Sequence, residues 1–99
     1  VIALRLTGKA LKDLADGKAF YEMQEKGVGE YFARTLESEI EGLRITAGIH
    51  SKPYADYHRL IVRKFPYAVF YTFSQNTAVI WAVVDCRRHP NWILAHLDE

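Results

Sequence analysis

The sequence predicts an α+β domain: an N-terminal strand, an antiparallel helical hairpin, a three-stranded antiparallel meander (order β-α-α-β-β-β) and a short C-terminal helix. Three observations carry this. Apolar residues recur at helical spacing through the first half of the chain. Through the second half they alternate or run continuously, in segments rich in β-branched and aromatic residues. Glycine or proline stands at each change of period. The 99 residues amount to one domain, 1–99, with a single modest core.

Residues 2–6 read as a strand because Ile2, Leu4 and Leu6 share one face at period two. Thr7 then offers an N-cap oxygen to a helix reaching about Lys26. Ala10, Leu14, Gly17 and Tyr21 form its apolar stripe, with Leu11 at the edge and Phe20 and Met23 pointing elsewhere. Glycine costs a helix interior about 1 kcal/mol against alanine. The place of Gly17 on the stripe therefore predicts another backbone passing close by. Gly27-Val28-Gly29 is the break. From Glu30 a second helix gathers Phe32, Leu36, Ile40, Leu43 and Ala47 in a narrow arc, with Gly48 as C-cap. Glu30 and Arg34 stand four apart, a favourable ion pair. So short a link makes the two helices antiparallel neighbours.

Residues 50–56, with Pro53, read as a loop. Residues 57–65, 67–73 and 77–85 read as strands, separated by Pro66 and by Ser74-Gln75-Asn76. The last is apolar on both faces, which places it centrally. Links this short make an antiparallel meander. After Pro90, residues 91–97 read as a helical segment carrying Trp92, Ile93 and Leu97.

A composition of 49% hydrophobic and 25% charged residues excludes a disordered or collagen-like chain. No apolar run approaches the ~18–20 residues of a membrane helix, so no membrane partner is expected. Arg5, Lys9 and Lys12 interrupt the start, so no signal peptide is expected there. The chain opens on Val1 rather than Met, which leads us to expect preceding residues. A lone cysteine, Cys86, leaves no internal disulfide and fits a reducing cytoplasm. The net charge of +1 hides a split. Residues 1–49 carry seven basic and eight acidic residues, whereas 57–89 carry Arg59, Arg63, Lys64, Arg87 and Arg88 against Asp85 alone. A basic β-region of this kind can meet an acidic partner or a phosphate.

Two stretches resemble a known family. His58-Arg59-Leu60-Ile61-Val62-Arg63-Lys64-Phe65-Pro66-Tyr67-Ala68-Val69-Phe70-Tyr71, then Val84-Asp85-Cys86-Arg87-Arg88-His89-Pro90-Asn91-Trp92, are similar to the paired-strand motif of the RelE/ParE toxin superfamily, in its plasmid-stabilisation branch. Ala10 to Leu14, Phe20-Tyr21-Glu22 and Gly27 to Phe32 resemble its first two helices. The resemblance implies the toxin half of a type II toxin–antitoxin module, acting in a bacterial cytoplasm without a cofactor. It implies a cognate antitoxin that wraps the sheet and hairpin, and contact with operator DNA only through that antitoxin. One branch of the superfamily cleaves messenger RNA in the ribosome, and another poisons DNA gyrase.

By the same resemblance, Arg59, Arg63 and Arg88 fall where an RNA-cleaving member has basic residues, with His89 or His96 in reach of the acid's role. Ile61 and Ala68 fall where two further cations would stand, and no tyrosine follows Trp92. Cleavage by 2′-hydroxyl attack needs cations at the phosphate and an acid for the leaving oxygen. We therefore expect gyrase inhibition, with ribosome-dependent RNA cleavage as the alternative and a non-toxic antitoxin-binding module as a third reading. The catalytic set, if the chain is a nuclease, is Arg59, Arg63, Arg88 and His96. The target-binding set is Arg59, Arg63, Arg87 and Arg88. Strand alternation puts Arg59, Ile61 and Arg63 on one face, and His58 on the other with Leu60 and Val62, as a hydrogen-bonded core histidine. Tyr67, Tyr71, Trp81 and Trp92 read as packing residues, Cys86 as an inert or buried thiol, and the histidine spacing matches no metal pattern. Phe20, Tyr21, Tyr31 and Phe32 crowd the hairpin tip beyond what a small core can hold, and we expect them to bind the antitoxin, a homodimer being the alternative.

Overall fold

The computed structural model describes residues 1–99. In chain order its elements are β1 (Ala3–Leu6), α1 (Gly8–Gln24), α2 (Val28–Glu41), α3 (Leu43–Thr46), β2 (His58–Ile61), β3 (Tyr67–Ser74), β4 (Thr77–Asp85) and α4 (Pro90–Leu97). Thr7 caps α1, its Oγ1 accepting from the Ala10 N–H at 3.1 Å. The strands lie in the order β1-β4-β3-β2. The last three strands form the expected antiparallel meander, and β1 adds to β4 in parallel.

β4 is apolar on both faces because both are covered. Ala78, Ile80 and Val83 join Val69 and Tyr71 in the main core, against Ala10, Phe32, Leu36 and Ile40 of the hairpin. Ala82 and Val84 join Ala68 and Phe70 in a second layer, closed by Ile93 and Leu97 of α4. A register shift between Phe70 and Tyr71 opposes Phe70 to Ala82 and Tyr71 to Ile80. Trp81 is the extra residue, so Ile80 and Val83 can face the same side although three apart. Its indole N–H bonds the Thr72 hydroxyl at 2.9 Å.

Three boundaries and one packing contact differ from expectation. Val28 rather than Glu30 begins the second helix. Gly27 makes the turn at φ +92°, and the Glu22 carboxylate accepts from the Gly27 and Gly29 N–H groups at 3.0–3.1 Å. That helix divides at Gly42 into α2 and α3, with no side chain capping the join. At Gly17 the close neighbour is a ring, not a backbone: an added Cβ would lie 2.6 Å from Phe32 Cζ. The backbone approach is at Gly29, 2.5 Å from the Lys18 carbonyl oxygen by the same construction. Finally, β2 stops at Ile61 instead of reaching Phe65. The chain turns there because Phe65 is drawn into the core, with Tyr21, Tyr31 and Phe32 at centroid distances of 4.8, 5.4 and 5.2 Å. Pro66 has no N–H to extend the ladder.

Candidate functional site

The early end of β2 removes a geometric expectation. Arg63 no longer shares a strand face with Arg59, because it stands with Lys64 on the turn between β2 and β3. Arg59 stays on the strand, half-buried, with its N–H bonded to the Ser51 carbonyl at 2.9 Å and its Nε enclosed without a partner. The arginines expected to act together are therefore dispersed.

Arg88 and His96 do meet. Both line a groove of about 290 Å³ between α1, β4 and α4, together with Asp13, Phe20, Tyr67 and Trp92. Trp92 organises it: the Arg88 guanidinium sits 4.2 Å from the indole ring and His96 stacks on it at 4.9 Å, 11° from parallel. Both ring nitrogens of His96 are taken by carboxylates, Nε2 3.0 Å from the two Asp13 oxygens and Nδ1 3.3 Å from Glu99 Oε2. β1 is shorter than β4, and beyond Ile80 the outward N–H groups of β4 need another acceptor. Asp13 is that acceptor for Val83, at 3.0 Å. Lys9 Nζ donates to the His96 carbonyl and so ties the end of α4 to α1. Burial pushes the Tyr67 hydroxyl up to about 12, so it stays a neutral donor in this groove.

Arg87 does not line the groove but forks with Asp85, which does, Nε–Oδ1 3.0 Å and Nη2–Oδ2 2.7 Å. That hydrogen-bonded guanidinium holds the Asp85 carboxyl below the usual range. Ile61 and Ala68 lie opposite one another in the β2–β3 ladder, Ile61 half-exposed and Ala68 inaccessible.

The hairpin-tip aromatics divide. Phe20 and Tyr31 are 52% and 48% exposed. Phe32 is fully buried, and Tyr21 is partly buried, stacked on Phe32 at 5.0 Å. The core holds more of this aromatic load than expected, because Gly17 leaves room for the Phe32 ring. Phe32 consequently offers no surface to a partner.

His58 is buried as expected, with Nδ1 2.7 Å from the His50 carbonyl and its ring stacked on Tyr71. Tyr71 also bonds His50 Nδ1 and accepts from the Gly48 N–H at 3.0 Å, so this tyrosine pins the loop before β2. Cys86 is exposed rather than buried. No group of three His, Cys, Asp or Glu side chains is arranged to hold a metal ion. Sequence reasoning missed Asp13 and Lys9. Their signal was faint: Asp13 lies about 60° from Ala10 on a helical wheel, at the margin of the buried stripe.

A family model described as the ParE toxin of the type II toxin–antitoxin system parDE matches residues 4–90. No curated protein matches the chain. Among solved structures, the chromosomal ParDE toxin–antitoxin system from P. aeruginosa superposes with a TM-score of 0.78 at 14% identity, over 85% of this chain and 95% of that one. The isolated E. coli RelE toxin superposes with a TM-score of 0.64 at 14% identity, over 96% and 95% of the two chains. At that identity the two structures speak for the fold alone.

Proposed function

This chain belongs to the ParE toxin family of type II toxin–antitoxin systems, and from that premise we propose that it inhibits DNA gyrase and is neutralised by a tightly bound cognate antitoxin. The observation that carries the choice of target is the sheet face under α4. Where a nuclease would need cations, Ala68 is covered by an apolar layer of Phe70, Ala82, Val84, Ile93 and Leu97, and Ile61 is uncharged. RNA cleavage also needs a proton donor for the leaving oxygen. Both ring nitrogens of His96 already face carboxylates, Asp13 and Glu99, rather than an open position in the groove. The exposed Phe20 and Tyr31 support antitoxin binding at the hairpin tip, where Tyr21 adds a partial edge. Arg88, displayed on Trp92 with no carboxylate in contact, is the best-presented cation for a target; Arg59, Arg63 and Arg87 complete the candidate set. No helix is long and apolar enough to cross a membrane, which is compatible with action in the cytoplasm.

Two reactions with the purified toxin separate the targets. We expect inhibited gyrase supercoiling and intact message in a translation reaction. Codon-positioned cuts in messenger RNA with normal supercoiling would transfer the assignment to ribosome-dependent cleavage. Neither effect from folded protein would make the chain a non-toxic antitoxin-binding module.

A further inference from the structure

An exposed arginine on a turn ordinarily samples many rotamers. Arg88 is exposed, but its guanidinium rests on the Trp92 ring, so whatever holds Trp92 decides where the charge points. Trp92 stands in the first turn of α4 and is 39% exposed. It belongs to neither apolar layer. Ile93 and Leu97 carry the burial of α4, whereas Trp92 faces the groove. Its ring partner is His96, four residues on, where a helix brings two side chains to the same side.

His96 is anchored in its turn. Its side chain is 13% exposed and that of Asp13 11%, so their 3.0 Å contact is largely shielded from water. Asp13 is fixed by the Val83 N–H, also at 3.0 Å. These contacts are not what docks the helix. Burial of Ile93 and Leu97 does that, and Lys9 Nζ holds the carbonyl end of α4. What the His96 ring adds is a plane, 11° from that of the indole. An unbroken series of contacts therefore runs from the β4 backbone through Asp13, His96 and Trp92 to the Arg88 guanidinium.

We propose that Asp13 and His96 are positioning residues, which act through Trp92 to preorganise Arg88 for the target. This rests on the reading of Arg88 as a target contact and adds the residues that aim it. An arginine ordered before contact has little rotamer freedom left to lose on binding, a gain of about 2- to 12-fold in affinity. That gain is separate from the contact made by the guanidinium itself, whose removal from the centre of an interface costs about 30-fold or more.

Two measurements test it. Nitrogen relaxation of the Arg88 Nε–H in the free toxin reports how firmly the side chain is held. The half-inhibitory concentration against gyrase holoenzyme in a supercoiling reaction reports its use. The Nε order parameter should lie above about 0.6 in the native toxin and below it in His96→Ala. Inhibition by His96→Ala should weaken about 2- to 12-fold, and in an Arg88→Ala background the same change should have no further effect. Should His96→Ala not fold by its melting curve, His96→Gln, which keeps a partner for Asp13 but has no ring, carries the same expectation. Ile93→Val separates aiming from stability. It loosens the seat of α4 and leaves the stack intact, so Arg88 should stay ordered. Asp13→Asn, which keeps an acceptor for the Val83 N–H and a polar partner for His96, should retain most of the Arg88 order that Asp13→Ala loses. An Arg88 Nε as ordered in the folded His96 variant as in the native toxin overturns the proposal. So does an Ile93→Val protein that releases Arg88 as far, because helix seating would then be the cause. If Arg88→Ala inhibits gyrase like the native toxin, the target reading of Arg88 fails, and the Nε order, measured without gyrase, marks that failure as distinct from a failure of positioning.

Discussion

Replacing Gly17 with alanine should destabilise the protein, against the usual sign for a glycine inside a helix. Propensity alone predicts a gain of about 1 kcal/mol. The structure opposes it with a steric term: the new methyl carbon would stand 2.6 and 2.7 Å from two atoms of the Phe32 ring. That ring cannot withdraw cheaply, being packed on Tyr21, Phe65 and Tyr67 at centroid distances of 5.0, 5.2 and 4.9 Å. Overpacking a core costs about 1–3 kcal/mol; two contacts under 3 Å with a braced ring put this case in the upper part of that range, about 2–3 kcal/mol, so the net loss should be about 1–2 kcal/mol. For a domain of this size that lowers Tm by roughly 5–10 °C. Urea and thermal unfolding of the free toxin measure it, with Gly8→Ala as reference because nothing lies within 4 Å of a Cβ at Gly8. In a Phe32→Leu background the same Gly17→Ala change should be neutral or favourable, a coupling above about 1 kcal/mol. A Gly17→Ala protein as stable as the native one, or more so, would refute the steric argument.

Asp13→Ala should cost about 2 kcal/mol, because it strands the Val83 N–H and frees His96. Hydrogen exchange should show the α4 amides opening before the rest of the protein, and Asp13→Asn, which keeps an acceptor, should recover part of the loss. Burial, reinforced by the neighbouring His58, lowers the His50 imidazole below its ordinary 6.5. The unfolded chain then binds the proton more readily, so this stabilisation is complete above pH 6.5 and is lost as the pH falls toward the folded value. A His50→Gln protein should show a flatter stability profile than native on acidification, and identical slopes would deny His50 that role. Arg88→Ala should change stability by less than about 1 kcal/mol, since an exposed cation–π contact contributes little. In a growth-arrest assay it should abolish toxicity, and full toxicity in the folded variant would remove Arg88 from the target surface.

The parts of the fold written in residue periodicity were legible in the sequence. The stripe from Phe32 to Ala47 located the second helix, and the two-faced apolar run of β4 located the middle of the sheet. Thr7 announced a helix start through a bond to its own neighbourhood. What escaped was decided by contacts distant in sequence. The end of β2 depends on Phe65 reaching the helical hairpin, and strand alternation alone could not show that Arg63 would leave the strand. Asp13 and His96 stand at opposite ends of the chain, and neither spacing pattern hinted at their contact. Phe32 illustrates the limit for surfaces: counting aromatics identified a crowded corner but not which ring would be inside.

The parallel pairing of β1 with β4 has a consequence for synthesis. The hairpin of α1 and α2 rests on local contacts and can form while the chain is still growing, but β1 has no partner until nearly all of the sequence has been made. Lys9 and Asp13 likewise wait for His96, the penultimate residue of α4, to emerge. A product that ends before β4 therefore lacks both the closed sheet and the cation-bearing groove, and one that ends before α4 lacks the groove alone. The topology reserves the finished surface for a chain translated through α4.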